Sequence, residues 1–231
     1  MSGATPAAAH TGAPHPRWTP GERLAGRDPV ATPAEGAPVV GVLALQGDVL
    51  EHLRALRRVG ADAREVRTRG QLDAVDALVL PGGESTTIGR LLEVFDLLDP
   101  VRDRVRAGMP VLGTCAGMIL LATSLDQDRP QPLIGVLDVQ VRRNAFGRQR
   151  ESFDVELTVP ELGEPPVDVS FIRAPVVTEV RAEDVEVLAE VELGPVLVRQ
   201  GHVWAAAFHP ELTGDDRLHA AFVGSLRRVT G

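Results

Sequence analysis

A cysteine set between glycines carries the sharpest chemical signal in this chain: Gly113-Thr114-Cys115-Ala116-Gly117 stands between an apolar run and the start of a helical pattern. Strand, tight turn and helix in that order lift a nucleophile above a sheet, and the glycines admit the strained turn and close backbone approach that this needs. The helix N-terminus that follows favours a thiolate, because its unpaired N–H groups stabilise the anion. A lone cysteine in apolar surroundings is ordinarily a core residue. Two flanking glycines at a strand end decide for a nucleophile here.

A thiol nucleophile needs a base, and the base needs a group that orients it. His209-Pro210-Glu211 offers both, since residues two apart on an extended segment face the same way and a carboxylate there can accept the imidazole N–H. The motif follows an apolar strand, where catalytic groups gather in open α/β sheets. Of the other five histidines, His10 and His15 lie in a low-complexity tail. His52, His202 and His219 have no carboxylate beside them in sequence, and are expected to cap, pair or pack.

The third element is Pro81-Gly82-Gly83-Glu84-Ser85, again after an apolar run and opening a helical pattern. Taken alone it is a turn followed by capping residues. Beside a nucleophile it gains a second reading, in which the N–H of Gly83, together with that of Ala116, faces a developing oxyanion at about 3 kcal/mol per donor.

These groups need a scaffold, and the chain supplies one. At 231 residues it has room for one sizeable α/β domain. A hydrophobic fraction of 44% with no apolar run of about 18 residues argues against a membrane role. The formal net charge of -8 repels a polyphosphate backbone, so nucleic acid is not an expected partner. Cys115 has no second thiol to pair with, which fits a reducing cytoplasm. All 24 basic residues are arginine, so this chain has no lysine amine for imine chemistry and no P-loop lysine.

Residues 1–37 are crowded with Ala, Pro and Gly, show no apolar periodicity and lack a continuous hydrophobic segment of the secretory kind; they are expected to be a disordered tail. Residues 38–231 form the expected domain. Apolar runs at 39–45, 74–80, 110–113 and 203–208 read as strands buried on both faces. Helical spacing follows in Leu50, Leu53, Leu56 and Val59, with Asp48 as N-cap and Gly60 as terminator, and again in Ile88, Leu91, Leu92 and Phe95. The alternation predicts a doubly wound, mostly parallel sheet flanked by helices. Shorter strand-like segments at 136–141, 153–159, 185–191 and 196–198 predict antiparallel additions in the second half, and 215–229 reads as a closing amphipathic helix.

Together the three motifs resemble the class I glutamine amidotransferases, whose triad is a Cys at a G-x-C-x-G elbow plus His-x-Glu near the C-terminus. Further runs narrow the resemblance to the glutaminase subunits of pyridoxal 5'-phosphate synthase: Leu45-Gln46-Gly47, Glu51-His52, PGGEST at 81–86, Arg143-Asn144, Phe146-Gly147-Arg148-Gln149, Phe171-Ile172-Arg173-Ala174-Pro175 and the segment 208–213. The resemblance covers nearly everything after residue 38, leaving out the tail and the loop 161–168. It implies Cys115 as nucleophile, His209 as acid and base and Glu211 as orienter of His209. It also implies that Gly83, Glu84, Ser85, Arg143, Ile172 and Arg173 hold L-glutamine, with arginine for the substrate's carboxylate and carbonyls or an acidic group for its ammonium. No cofactor or metal is implied. The expected partner is the catalytic subunit of the synthase, in a cytoplasmic hetero-oligomer. The glutaminase subunit of imidazole glycerol phosphate synthase, a catalytically silent relative and a small-molecule cysteine hydrolase share parts of this pattern. The RNAFGRQ and FIRAP runs favour the pyridoxal assignment.

Overall fold

A computed structural model describes residues 33–126, 130–145 and 152–226. The tail expectation therefore lies largely outside the described residues, as do Phe146-Gly147-Arg148-Gln149 and the last turn of the expected closing helix. Residues 34–37 form a turn closed by Ala37 N donating to Ala34 O at 3.0 Å.

The first half alternates strand and helix: β1 (Val39–Leu43), α1 (Val49–Arg58), β2 (Asp62–Val66), α2 (Arg69–Asp73), β3 (Ala77–Leu80), α3 (Ser85–Val94), α4 (Leu98–Arg106), β4 (Val111–Thr114) and α5 (Ala116–Leu121). The second half is strand-rich: β5 (Ala122–Leu125), β6 (Leu137–Arg142), β7 (Ser152–Leu157), a 3-10 turn (Pro160–Leu162), β8 (Val167–Ile172), β9 (Val176–Val180), β10 (Val185–Val191), β11 (Gly194–Gln200) and β12 (Val203–Ala206). Two helices follow, α6 (Pro210–Thr213) and α7 (Arg217–Leu226).

The main sheet runs β10-β11-β12-β4-β3-β1-β2. Its five strands from β12 to β2 are parallel, and β11 and β10 extend it antiparallel. Every residue of β3, β4 and β12 is buried, as strands covered on both faces must be. Helices flank this sheet in two packed groups, α1 with α6 and α7, and α3 with α4 and α5. Smaller sheets, β5-β6-β9 and the antiparallel pair β7-β8, complete the second half. No helix among the described residues is long and apolar enough to cross a membrane.

Four departures from the sequence expectation have physical causes. The segment β2 (DAREV) has no apolar run because it is an edge strand whose Arg64 and Glu65 are exposed, so its pattern does not declare a strand. The apolar start of the run at 74–80 caps α2, which is held by a capping box between Thr68 and Gln71, before β3 begins at Ala77. Strands β8 and β9 straddle the FIRAP run and carry polar residues on their outer faces. Leu50 and Phe95, both counted in the apolar helical spacing, are 49% and 53% exposed; Leu50 lies off the stripe formed by Leu53 and Leu56, and Phe95 is the C-cap of α3.

Candidate active site

The strands β12, β4, β3 and β1 are consecutive neighbours and parallel, so their C-terminal ends come to one edge of the sheet. Each end delivers part of a site: His209 after β12, Cys115 after β4, Gly82 and Gly83 after β3, and Gln46 with Asp48 after β1. Open α/β sheets bind ligands at this edge because the strand-to-helix turns leave backbone and side chains free there.

Cys115 is the N-cap of α5 and has φ 47° and ψ -100°, a left-handed conformation that a residue with a Cβ adopts only when its surroundings force it. The force is visible in the turn. Cys115 N donates to Ala206 O at 2.8 Å, and a Cβ on Gly117 would overlap the carbonyl oxygen of Leu80, so α5 can approach β3 this closely only with glycine there. The thiol is 7% exposed, and its Sγ lies 3.9 Å from the carbonyl oxygen of Ile172 at the end of β8.

His209 is 4% exposed, and its backbone N donates to Ser170 O at 2.9 Å, which ties it to β8. Its Nδ1 is 2.7 Å from Oε1 of Glu211 and 3.4 Å from Oδ2 of Asp48. The His209–Glu211 pairing does not come from an extended segment. Glu211 is the second residue of α6, with Pro210 at the first position, and the strand-to-helix turn folds the carboxylate back under the ring. Asp48 occupies the expected N-cap position of α1 but makes no side-chain cap; its carboxylate is turned toward His209 instead.

Burial works against a charged imidazole at His209. The neighbouring Glu211 carboxylate, Asp48, and a side-chain hydrogen bond with Cys115 outweigh it and hold the pKa of His209 well above its ordinary value. Burial pushes the Glu211 carboxyl up, while His209 pulls it back down. The pair is thus a buried acid–base couple with the proton on Nδ1 directed at Glu211.

The residues expected to hold glutamine fall into two groups. Glu84 is the N-cap of α3: its carboxylate accepts from Thr86 N at 3.2 Å, from Thr87 N at 2.7 Å and from Thr87 Oγ1 at 2.8 Å. Despite partial desolvation, those bonds lower its pKa to about 2. Arg143 reaches across to it, donating from Nη2 to Glu84 Oε1 at 2.8 Å and from Nη1 to Thr86 Oγ1 at 3.0 Å and Gln131 Oε1 at 3.1 Å. Ser85 is buried and donates to Gln131 Oε1 at 3.2 Å. Gly83 is exposed with φ 151°, beside Gln46, whose Oε1 accepts from Glu84 N at 2.8 Å. The second group is Ile172, beside the thiol, and Arg173, exposed with φ 43°. Ala116 is the first residue of α5, directly after Cys115.

Sequence reasoning passed over several residues of this constellation. Gln131 gathers Ser85, Thr86 and Arg143 on its carbonyl oxygen. His52, expected only to cap, pair or pack for want of a neighbouring carboxylate, is fully buried with Nε2 3.4 Å from Oε2 of Glu211. It also pairs, with Thr114 Oγ1 and with His219 Nε2, both at 3.0 Å. The available signal was a histidine directly before Leu53 on the inward face of an amphipathic helix. Among the described residues, Asp48, His209 and Glu211 are the one set of possible metal-ligand atoms within 4.8 Å of one another. His209 Nδ1 is already committed to Glu211, so a cation there would compete with that hydrogen bond.

Comparison with known proteins places this geometry in context. The description "SNO glutamine amidotransferase family" matches residues 42–228. A Parafrankia sp. (strain EAN1pec) protein, "Pyridoxal 5'-phosphate synthase subunit PdxT", is 62% identical over 196 residues, 84% of this chain and 96% of that protein. A Nocardia farcinica protein of the same name is 56% identical over 207 residues, covering 87% and 90%. A solved glutamine amidotransferase structure is 52% identical with a TM-score of 0.77, covering 81% of this chain and 98% of that one. The PurLQS structure from Thermotoga maritima, 18% identical with a TM-score of 0.58 over 82% of this chain and 99% of that one, shares the fold alone.

Proposed function

Because the chain belongs to the SNO glutamine amidotransferase family, we propose that it is the glutaminase of a pyridoxal 5'-phosphate synthase, hydrolysing L-glutamine to L-glutamate and ammonia for vitamin B6 biosynthesis. The observation that carries this reading is the thiol of Cys115 on a strained elbow beside a histidine whose Nδ1 is held 2.7 Å from the Glu211 carboxylate.

The chemistry follows from that arrangement. With Nδ1–H donated to Glu211, the working nitrogen of His209 is Nε2, which holds the proton given up by the thiol while the resulting thiolate attacks the side-chain amide carbon of glutamine. The oxyanion is met by the N–H groups of Gly83 and Ala116. The tetrahedral adduct collapses as the imidazolium passes its proton to the leaving nitrogen, giving ammonia and a γ-glutamyl thioester. Water, deprotonated by His209, then cleaves the thioester, and the proton returns to sulfur as glutamate leaves. Glu211 keeps the charged imidazole stable through both halves.

Glutamine presents a carboxylate and an ammonium at its far end. Arg143 and Arg173 supply guanidinium groups for the first, and Glu84, anchored on α3 beside Ser85 and Gly83, supplies the anion for the second. The Ile172 carbonyl lies at the reacting end, where it can accept from the substrate's amide –NH2. Ammonia is mostly protonated at neutral pH and then has no lone pair to offer, so it must pass to its acceptor along a protected path. The partner is the catalytic subunit of the synthase, which contributes the lysine amines this chain lacks. The test is glutamate release from glutamine by the full chain, with and without that subunit. No release in either condition would sink the reading.

A further inference from the structure

Next to Glu211 lies a buried pair of imidazoles that the mechanism above does not use. His52 on α1 and His219 on α7 are both fully buried. His52 Nδ1 is 3.0 Å from His219 Nε2; its Nε2 is 3.0 Å from Thr114 Oγ1 and 3.4 Å from Oε2 of Glu211. Among the described residues, two of the four buried side-chain atoms without a hydrogen-bond partner belong to this cluster, Glu211 Oε2 at one end and His219 Nδ1 at the other.

We propose that His52 is a positioning residue of the glutaminase triad, fixed by His219 as the Nε2–H tautomer so that its N–H edge faces the second oxygen of Glu211 and holds that carboxylate in place for His209. The inference rests on the glutaminase reading for its consequence, but its tautomer follows from geometry alone. One proton sits between His52 Nδ1 and His219 Nε2. If His52 carried it, His219 would be protonated on Nδ1, leaving a buried N–H without an acceptor, and His52 would turn a lone pair toward an anionic oxygen. If His219 Nε2 carries it, His52 is protonated on Nε2, its N–H lies between Thr114 Oγ1 and Glu211 Oε2, and the one orphan is a bare acceptor on His219.

Charge agrees with this. Burial first, then the neighbouring imidazoles of His219 and His209, lower the pKa of His52 far below its ordinary value; burial lowers that of His219 to about 4, with Asp216 and Arg58 acting in opposite senses. Both rings are therefore neutral donors and acceptors, which leaves His209 as the cation paired with Glu211. The groups facing the Glu211 carboxylate are His209 on one oxygen and His52 on the other, with the Asp48 carboxylate within 4.8 Å and raising its pKa directly, and Cys115 reaching it through His209.

The first measurement needs no variant: long-range proton–nitrogen correlation of the histidine side chains in the full wild-type chain reads each tautomer. His52 and His219 protonated on Nε2 are expected; His52 protonated on Nδ1 overturns the proposal. The second uses two variants with the synthase subunit present. His52→Gln places an amide N–H near the Nε2 position, whereas His52→Asn reaches only as far as Nδ1. In the Asn variant Glu211 should protonate at higher pH, moving the acid limb of kcat/KM up by about one unit and lowering kcat about tenfold at that limb, with KM for glutamine little changed. The Gln variant should return most of both. Equal behaviour of the two variants, or an unmoved acid limb in His52→Asn, overturns the proposal. A wild-type chain without glutaminase activity would sink the functional reading and leave the tautomer measurement to decide this one.

Discussion

Gly82 lies flush against the imidazole of His209: a Cβ built on Gly82 would overlap Cε1 of the ring and stand 2.8 Å from both His209 Nδ1 and Asp48 Oδ2. The turn after β3 is thus one wall of the slot that holds the base. Gly82→Ala should displace the ring from the Nδ1–Glu211 bond and lower kcat by about a hundredfold, since small misplacements of a catalytic group cost that much. Its melting temperature should change little, because the turn lies at the sheet edge. A variant with unimpaired kcat would show that the slot has room to spare.

Replacing the nucleophile separates the two halves of the overall reaction. Cys115→Ala should release no glutamate, keep the wild-type melting profile because alanine retains the Cβ and the backbone of the elbow, and leave the synthase partner able to make product from an ammonium salt. Glutamate release at the wild-type rate would refute the triad assignment.

Arg143 tests the substrate pocket. Its three hydrogen bonds to Glu84, Thr86 and Gln131 form a planar fork that a lysine cannot reproduce. Arg143→Lys should raise KM for glutamine by about tenfold or more, the worth of one charge-assisted contact, with kcat within a few-fold of wild type. Steady-state kinetics over glutamine concentration decide it, and an unchanged KM would remove Arg143 from the pocket.

Partner response should run through the turn after β1. Gln46 accepts from Glu84 N at 2.8 Å, beside Gly83, so its side chain couples this turn to a proposed oxyanion donor. Leu50, the second residue of α1 and 49% exposed, is an apolar contact left open at the same end of the helix. Glutaminase activity of the isolated chain should be slow and rise on titration with the synthase subunit. Gln46→Ala should weaken that rise more than it weakens basal turnover, and Leu50→Ser should weaken it with basal turnover unchanged. An isolated chain that is fully active and indifferent to the partner would reject this coupling.

Acid should destabilise the fold through the buried imidazoles. The pKa of His219 falls from 6.5 to about 4 on folding, so between those values the unfolded chain binds the proton that the folded chain refuses, and stability is lost as pH falls. Each such proton contributes a slope of about 1.4 kcal/mol per pH unit. His52 adds in the same direction, while the raised carboxyl of Glu211 opposes it over part of the window. His219→Leu removes one of these protons, so denaturant titrations at several pH values should show a shallower loss for the variant from pH 6.5 to 4. Parallel curves would mean that His219 is not the group responsible.

The sequence alone determined what is local. The glycine-flanked cysteine, the His-x-Glu pair and the apolar runs of β1, β3, β4 and β12 are each specified within a few neighbouring residues, because strained turns need glycine and strands buried on both faces need mostly apolar side chains. The family resemblance carried the same local runs into residue roles. The edge strand β2, half polar, gave no such signal. What tertiary structure alone decided is how remote groups meet. The order β12-β4-β3-β1 brings Asp48, Gly82, Cys115 and His209 to one edge, turns Asp48 from the expected cap to the base, and sets His52 against a carboxylate 159 positions away. Neither a propensity nor a period encodes those meetings, since they depend on which strands lie side by side, and that follows from burying the whole apolar surface at once rather than from any one segment.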